Sequence, residues 1–109
     1  MNFEEFQAWL SDRFSPDNGE LLFETLGGRS YFYVSYDSQS RFMKIRRTTG
    51  KQGQLREDKI RRVFERYQNG SQSERNMTSF YTDPWWERTP SRILAPYVAA
   101  VIKAWTEEG

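Results

Sequence analysis

Phe3, Phe6, Leu10 and Phe14 recur at steps of three and four with polar residues between them, which predicts an amphipathic helix at the start of the chain. Trp9 lies alongside this stripe. Asn2 stands where an N-cap belongs, and Glu4 and Glu5 suit the positive end of the helix dipole. Ser15-Pro16-Asp17-Asn18-Gly19 ends the helix and turns the chain. The period then falls to two. Glu20–Leu26 reads as a strand, Gly27-Gly28 as a hairpin turn in which both glycines tolerate positive φ, and Arg29–Tyr36 as a second strand. In that strand Phe32, Val34 and Tyr36 form the more apolar set and should face a core, leaving Tyr31, Tyr33 and Ser35 outward. Asp37–Ser40 makes another tight turn. Arg41–Arg47 follows as a third strand, with Met43 and Ile45 inward and Phe42, Lys44 and Arg46 outward.

Thr48–Gly53 reads as a flexible loop joining this strand to a helix. Its Gly50-Lys51-Gln52-Gly53 echoes a phosphate loop but lacks the full spacing of that motif. Ile60, Val63, Phe64 and Tyr67 then mark a helix over about residues 55–68, stopped by Gly70. Residues 70–79 show no apolar periodicity and are expected to form a mobile loop. The adjacent Trp85 and Trp86 cannot both face one way in an extended segment, so one ring is a candidate anchor for a partner; capping the edge of the core is the alternative. A last helix is expected over about residues 96–107, with Pro96 in its first turn and Tyr97, Val98, Val101, Ile102 and Trp105 as its buried stripe. The expected fold is a single α+β domain spanning residues 1–109. A three-stranded antiparallel β-meander packs against helices in the order α-β-β-β-α-α.

Composition supports a packed domain, since 8 Phe, 6 Tyr and 4 Trp supply bulky core area within 109 residues. It also removes chemistries. With no His and no Cys, the triads built on either residue, disulfides and Cys-based zinc sites are all excluded. Asp12, Asp17 and Asp83 are scattered, and no carboxylates fall at metal-ligand spacing. A non-enzymatic protein without cofactor is the expectation. The acidic start lacks the form of a signal peptide, and no apolar run reaches membrane-spanning length, so a cytoplasmic, membrane-free location is expected.

Charge changes the picture further. Net charge is only +1, but residues 1–40 carry 2 basic and 7 acidic side chains, whereas residues 41–75 carry 11 basic and 4 acidic. If the strands pair antiparallel, one sheet face gathers Tyr31, Tyr33, Phe42, Lys44 and Arg46. Rings interleaved with cations are what single-stranded nucleic-acid binders present, the rings for bases and the cations for phosphates. Were another element to cover that face, the rings would instead be core. Lys51, in the loop, and Arg56 and Arg62, on the flank of the basic helix, are candidate additions to this surface. A protein-interaction or homodimerising module is the competing reading, using the Trp pair and the acidic and basic halves of the chain.

The order strand–turn–strand, then Thr49-Gly50-Lys51, then Ile60-Arg61-Arg62-Val63-Phe64-Glu65-Arg66-Tyr67, resembles small uncharacterised bacterial proteins carried on mobile elements, such as the products of integron gene cassettes. The likeness spans about residues 28–67, with a looser echo over residues 91–101. It implies no particular activity and carries over no catalytic residue.

Overall fold

The computed structural model of the protein describes residues 2–14, 19–82 and 90–108. Helix α1 (Phe3–Arg13) starts as its sequence requires: the Glu5 N–H donates to Asn2 Oδ1 at 2.8 Å. Four strands follow, β1 (Leu21–Glu24), β2 (Tyr31–Asp37), β3 (Phe42–Arg47) and β4 (Gln52–Leu55). They pair antiparallel in chain order β1-β2-β3-β4. Helices α2 (Glu57–Asn69), α3 (Gln72–Arg75) and α4 (Pro90–Glu108) complete the α+β fold, with a 3-10 turn at Thr78–Tyr81.

The expected meander is therefore one strand longer than its pattern indicated. Strand β4 takes the end of what reads as a loop and the expected first residue of the basic helix, which begins at Glu57, because Gln-Gly-Gln-Leu offers only one apolar side chain and little strand propensity. Its pairing with β3 makes the strand, and Gly53 faces inward to admit Leu94 of α4. A Cβ at Gly53 would come within 2.5 Å of Leu94 Cδ1. Two further boundaries shift. Pro90, not Pro96, opens α4, so Pro96 lies inside that helix. The segment expected to be a mobile loop holds α3, closed by a capping box in which Ser71 and Glu74 satisfy each other's backbone N–H groups. In the β1–β2 connection only Gly28 takes positive φ, at 70°.

Alternation places Phe32, Val34, Tyr36, Met43, Ile45 and Leu55 on one sheet face, all buried. The helices cover that face. Phe6 and Phe64 sit at the centre of the core, with ring centroids 5.6 Å apart, and Trp105 packs 5.3 Å from Phe6. Across the sheet Phe32 meets Tyr97 edge-on at 5.0 Å. Each predicted inward position of the first helix, of the second and third strands and of the basic helix is buried. Among the described residues no helix is long and apolar enough to cross a membrane.

Candidate functional site

The opposite face of the sheet is the candidate site. The register sets its rows: Leu22, Tyr33, Arg46 and Gln52 lie side by side, as do Ser35, Lys44 and Gln54, while Tyr31 neighbours Glu24 and Phe42 neighbours Asp37. Among the described elements the start of α2 comes nearest, with Arg56, Asp58 and Lys59 beside Phe42. Tyr31 is 53% exposed and Leu22 54%, and Lys44, Gln52 and Gln54 are also exposed. The register thus gathers the face predicted from alternation; on it Tyr33, Ser35, Phe42 and Arg46 are half-buried.

The rings follow a line along the strands. Tyr31 is six residues from Asp37, the partner of Phe42, which at roughly 3.4 Å per residue separates the outer rings by about 20 Å. Tyr33 lies between them, one pleat repeat from Tyr31. Lys44 fills the step before Phe42. Phe42 itself stands between two hollows. One, of about 350 Å³, is bordered by Ser35, Asp37, Ser40, Lys44 and Gln54. The other, of about 390 Å³, is bordered by Gln54, Arg56, Asp58 and Lys59. The Arg56 guanidinium lies 5.9 Å from the Phe42 ring centre. Lys51 is exposed in the β3–β4 turn, at the Tyr31 end of the sheet.

Arg46 does not stand free. Its guanidinium lies 4.1 Å from the Tyr33 ring centre and grips Glu20 with two hydrogen bonds, Nε to Oε2 at 3.1 Å and Nη2 to Oε1 at 2.9 Å. The Arg46 hydrogen bond holds the Glu20 carboxyl below the ordinary glutamate range, and the same contact raises Arg46. Asp37 is also drawn inward on itself: it accepts the Gln39 N–H at 2.9 Å, and that bond lowers its pKa. Five cations (Lys44, Arg46, Lys51, Arg56, Lys59) thus share the surface and its rim with four carboxylates (Glu20, Glu24, Asp37, Asp58), so aromatic area distinguishes it more than net charge does.

The remaining excess of positive charge is largely bound up in the fold. Arg41 pairs with Glu57 at 3.0 Å and Arg61 with the same carboxylate at 3.5 Å, while Gln7 donates to it at 2.9 Å. Glu57 is held below the usual range, first by Arg41. Arg66 donates to the Phe80 carbonyl at 2.9 Å and lies over the Phe80 ring. Arg75 donates to the Tyr67 and Gln68 carbonyls at 2.7 and 3.0 Å, a cationic cap on the end of α2. Helix α2 packs under the buried face, so Arg62 does not join Tyr31, Tyr33 and Phe42. The basic helix is thus mainly a structural element. Sequence reasoning missed Glu20 and Glu57 as partners. Their acidic side chains meet Arg46 and Arg41 only through the fold, with no local spacing to announce it.

Trp85 and Trp86 lie outside the described residues. A cavity of about 570 Å³ opens between the β1–β2 connection and α4; the described residues that line it, Thr25, Leu26, Ser30, Thr78 and Tyr97 among others, are neither acidic nor basic. Tyr81 is buried, its phenol pushed up by burial, but its O–H donates to the Arg75 carbonyl at 2.7 Å and so serves the fold. Among the described residues no three carboxylates converge as a metal site would require. Comparisons with family models, with curated proteins and with solved structures return no match, so the reading of this face rests on its own geometry.

Proposed function

We propose that this domain is a non-enzymatic binding module that takes single-stranded nucleic acid along the open face of its sheet. One observation carries the reading: Tyr31, Tyr33 and Phe42 line up on the sheet face opposite the described helices, with Lys44 between the last two and Arg56 beside Phe42. Rings on such a platform stack on bases of any sequence, each worth roughly 1–3 kcal/mol. A step of about 7 Å between Tyr31 and Tyr33 is twice the base spacing of a stacked strand, which suits an extended single strand and not a duplex. The near balance of charge on the face favours binding of modest affinity with a shallow salt dependence.

Titration of a labelled oligothymidylate of about ten nucleotides, beside a duplex of equal length, is the test. Single-strand binding with a dissociation constant below about 100 µM at low salt is expected. Tyr31→Ala and Phe42→Ala should each weaken it roughly 5-fold or more. Absence of single-strand binding, or a preference for duplex that ignores both substitutions, contradicts the proposal.

A protein-interaction module is the second reading, favoured by Leu22. That side chain is 54% exposed and adjoins Tyr33 in the register, an apolar contact that nucleic acid would not need.

A further inference from the structure

We infer that Arg46 over Tyr33 is the central phosphate subsite of this face, and that Glu20 occupies it in the free protein as an internal stand-in for the ligand's phosphate. The inference rests on the nucleic-acid reading above and adds a gate to it.

The geometry is that of a strap. Glu20 immediately precedes β1, whereas Arg46 belongs to β3, two strands away. To meet, the arginine side chain must cross β2, and it does so over the ring of Tyr33, its own cross-strand neighbour, at 4.1 Å. The guanidinium fork then closes on both oxygens of the carboxylate. That fork fits a phosphate in the same two-pronged way, because both anions offer paired oxygens at matching spacing. The strap also covers the ring. Tyr33, which Arg46 crosses, is half-buried, whereas Tyr31 is 53% exposed.

A structural ion pair alone would not need to lie here. The two partners keep about a third or more of their side-chain surface in water, at 34% and 41%, where such a pair adds little stability. What the pair does achieve is to neutralise one of the two cations that flank the middle of the ring line, and to shield the ring beneath it. A phosphate arriving at Arg46 displaces Glu20 and frees Tyr33 for a base. Lys44 and Arg56 need no such exchange, since neither is gripped by Glu20.

The isosteric substitution Glu20→Gln tests this in the full chain, with a fluorescent oligothymidylate of about ten nucleotides as the probe. Relative to wild type, E20Q should bind roughly 2- to 5-fold more tightly, the gain expected from releasing an exposed ion pair. Its salt dependence should steepen by about 0.7 in log–log slope, one added phosphate contact on a single strand. R46Q should abolish that gain, so that E20Q/R46Q binds like R46Q alone. The Arg46 Nε–H resonance supplies a readout independent of affinity: E20Q, and wild type saturated with oligonucleotide, should each move it from its free wild-type position. If wild type binds but E20Q leaves affinity, slope and resonance unchanged, the gate is wrong and the binding reading stands. If neither protein binds, both fall.

Discussion

Gly53→Ala perturbs the contact that brings α4 onto the edge strand. The added methyl would lie 2.5 Å from Leu94 Cδ1, 3.3 Å from Cδ2 and 3.4 Å from Cγ. Leu94 is itself only 6% exposed, so it has little room to retreat. Overpacking of this kind costs typically 1–3 kcal/mol. Alanine recovers part of that, about 0.5–1 kcal/mol, because glycine loses more chain freedom on folding. A net loss of about 1 kcal/mol, the difference of the two midpoints, is expected. Urea denaturation measures it as a lower midpoint at an unchanged slope, since the surface exposed on unfolding stays the same. Leu94→Ala alone should cost about 2–5 kcal/mol through the cavity it leaves. Joined to Gly53→Ala it should cost less, because the new methyl enters that space, with a coupling of about 1 kcal/mol or more. Gly53→Ala at wild-type stability, with strict additivity in the pair, would refute the proposed close approach of α4 to β4.

Two further predictions concern the turns and ion pairs. Glu57 has its carboxyl lowered by Arg41, Gln7 and Arg61, with the Tyr36 phenol nearby, so the stability it lends is present above its ordinary value of 4.5 and fades as pH falls through the lower folded value. Thermal melts of Glu57→Gln should therefore lose less on acidification from about pH 5 to pH 3 than wild type does; parallel losses would remove Glu57 from the acid-sensitive set. Arg41 closes the β2–β3 turn with φ of 60°, a conformation that side chains other than glycine resist. Arg41→Gly and Arg41→Ala both lose the pair with Glu57, but the glycine variant should be more stable by roughly 0.5–1 kcal/mol, as chemical denaturation will show. An alanine variant of equal or greater stability would mean that the turn holds no strain.

Periodicity in this chain exposed whatever depends on side chains facing one way. Phe3, Phe6 and Leu10, then Phe32, Val34 and Tyr36, then Ile60, Val63 and Phe64 each repeat cleanly and are all buried. The outer residues Tyr31, Tyr33, Phe42, Lys44 and Arg46 followed by the same alternation, since a strand with one buried face must turn its other residues away. Strand β4 stayed hidden because its pairing with β3 and the docking of Leu94 make it a strand, and neither leaves a hydrophobic pattern in Gln-Gly-Gln-Leu. The start of helix α4 is ambiguous in the sequence because proline suits a first turn, and two prolines compete for that position; the interior one loses a backbone hydrogen bond that packing offsets. The charge asymmetry was visible, but its use was not. Arg66 and Arg75 direct their cations to the Phe80, Tyr67 and Gln68 carbonyls, and Arg46 directs its cation to Glu20, pairings between residues 7 to 26 positions apart.

The central claim is that the open sheet face, and not the basic helix, receives single-stranded nucleic acid. Amide chemical-shift mapping during titration of labelled protein with an oligothymidylate of about ten nucleotides tests it most directly. Binding along the sheet should make the largest shifts cluster at Tyr31, Tyr33, Ser35, Phe42 and Lys44, with those of α2 from Arg61 to Arg66 small. Shifts concentrated on α2 with the sheet face silent, or no shifts at all at low salt, would contradict it.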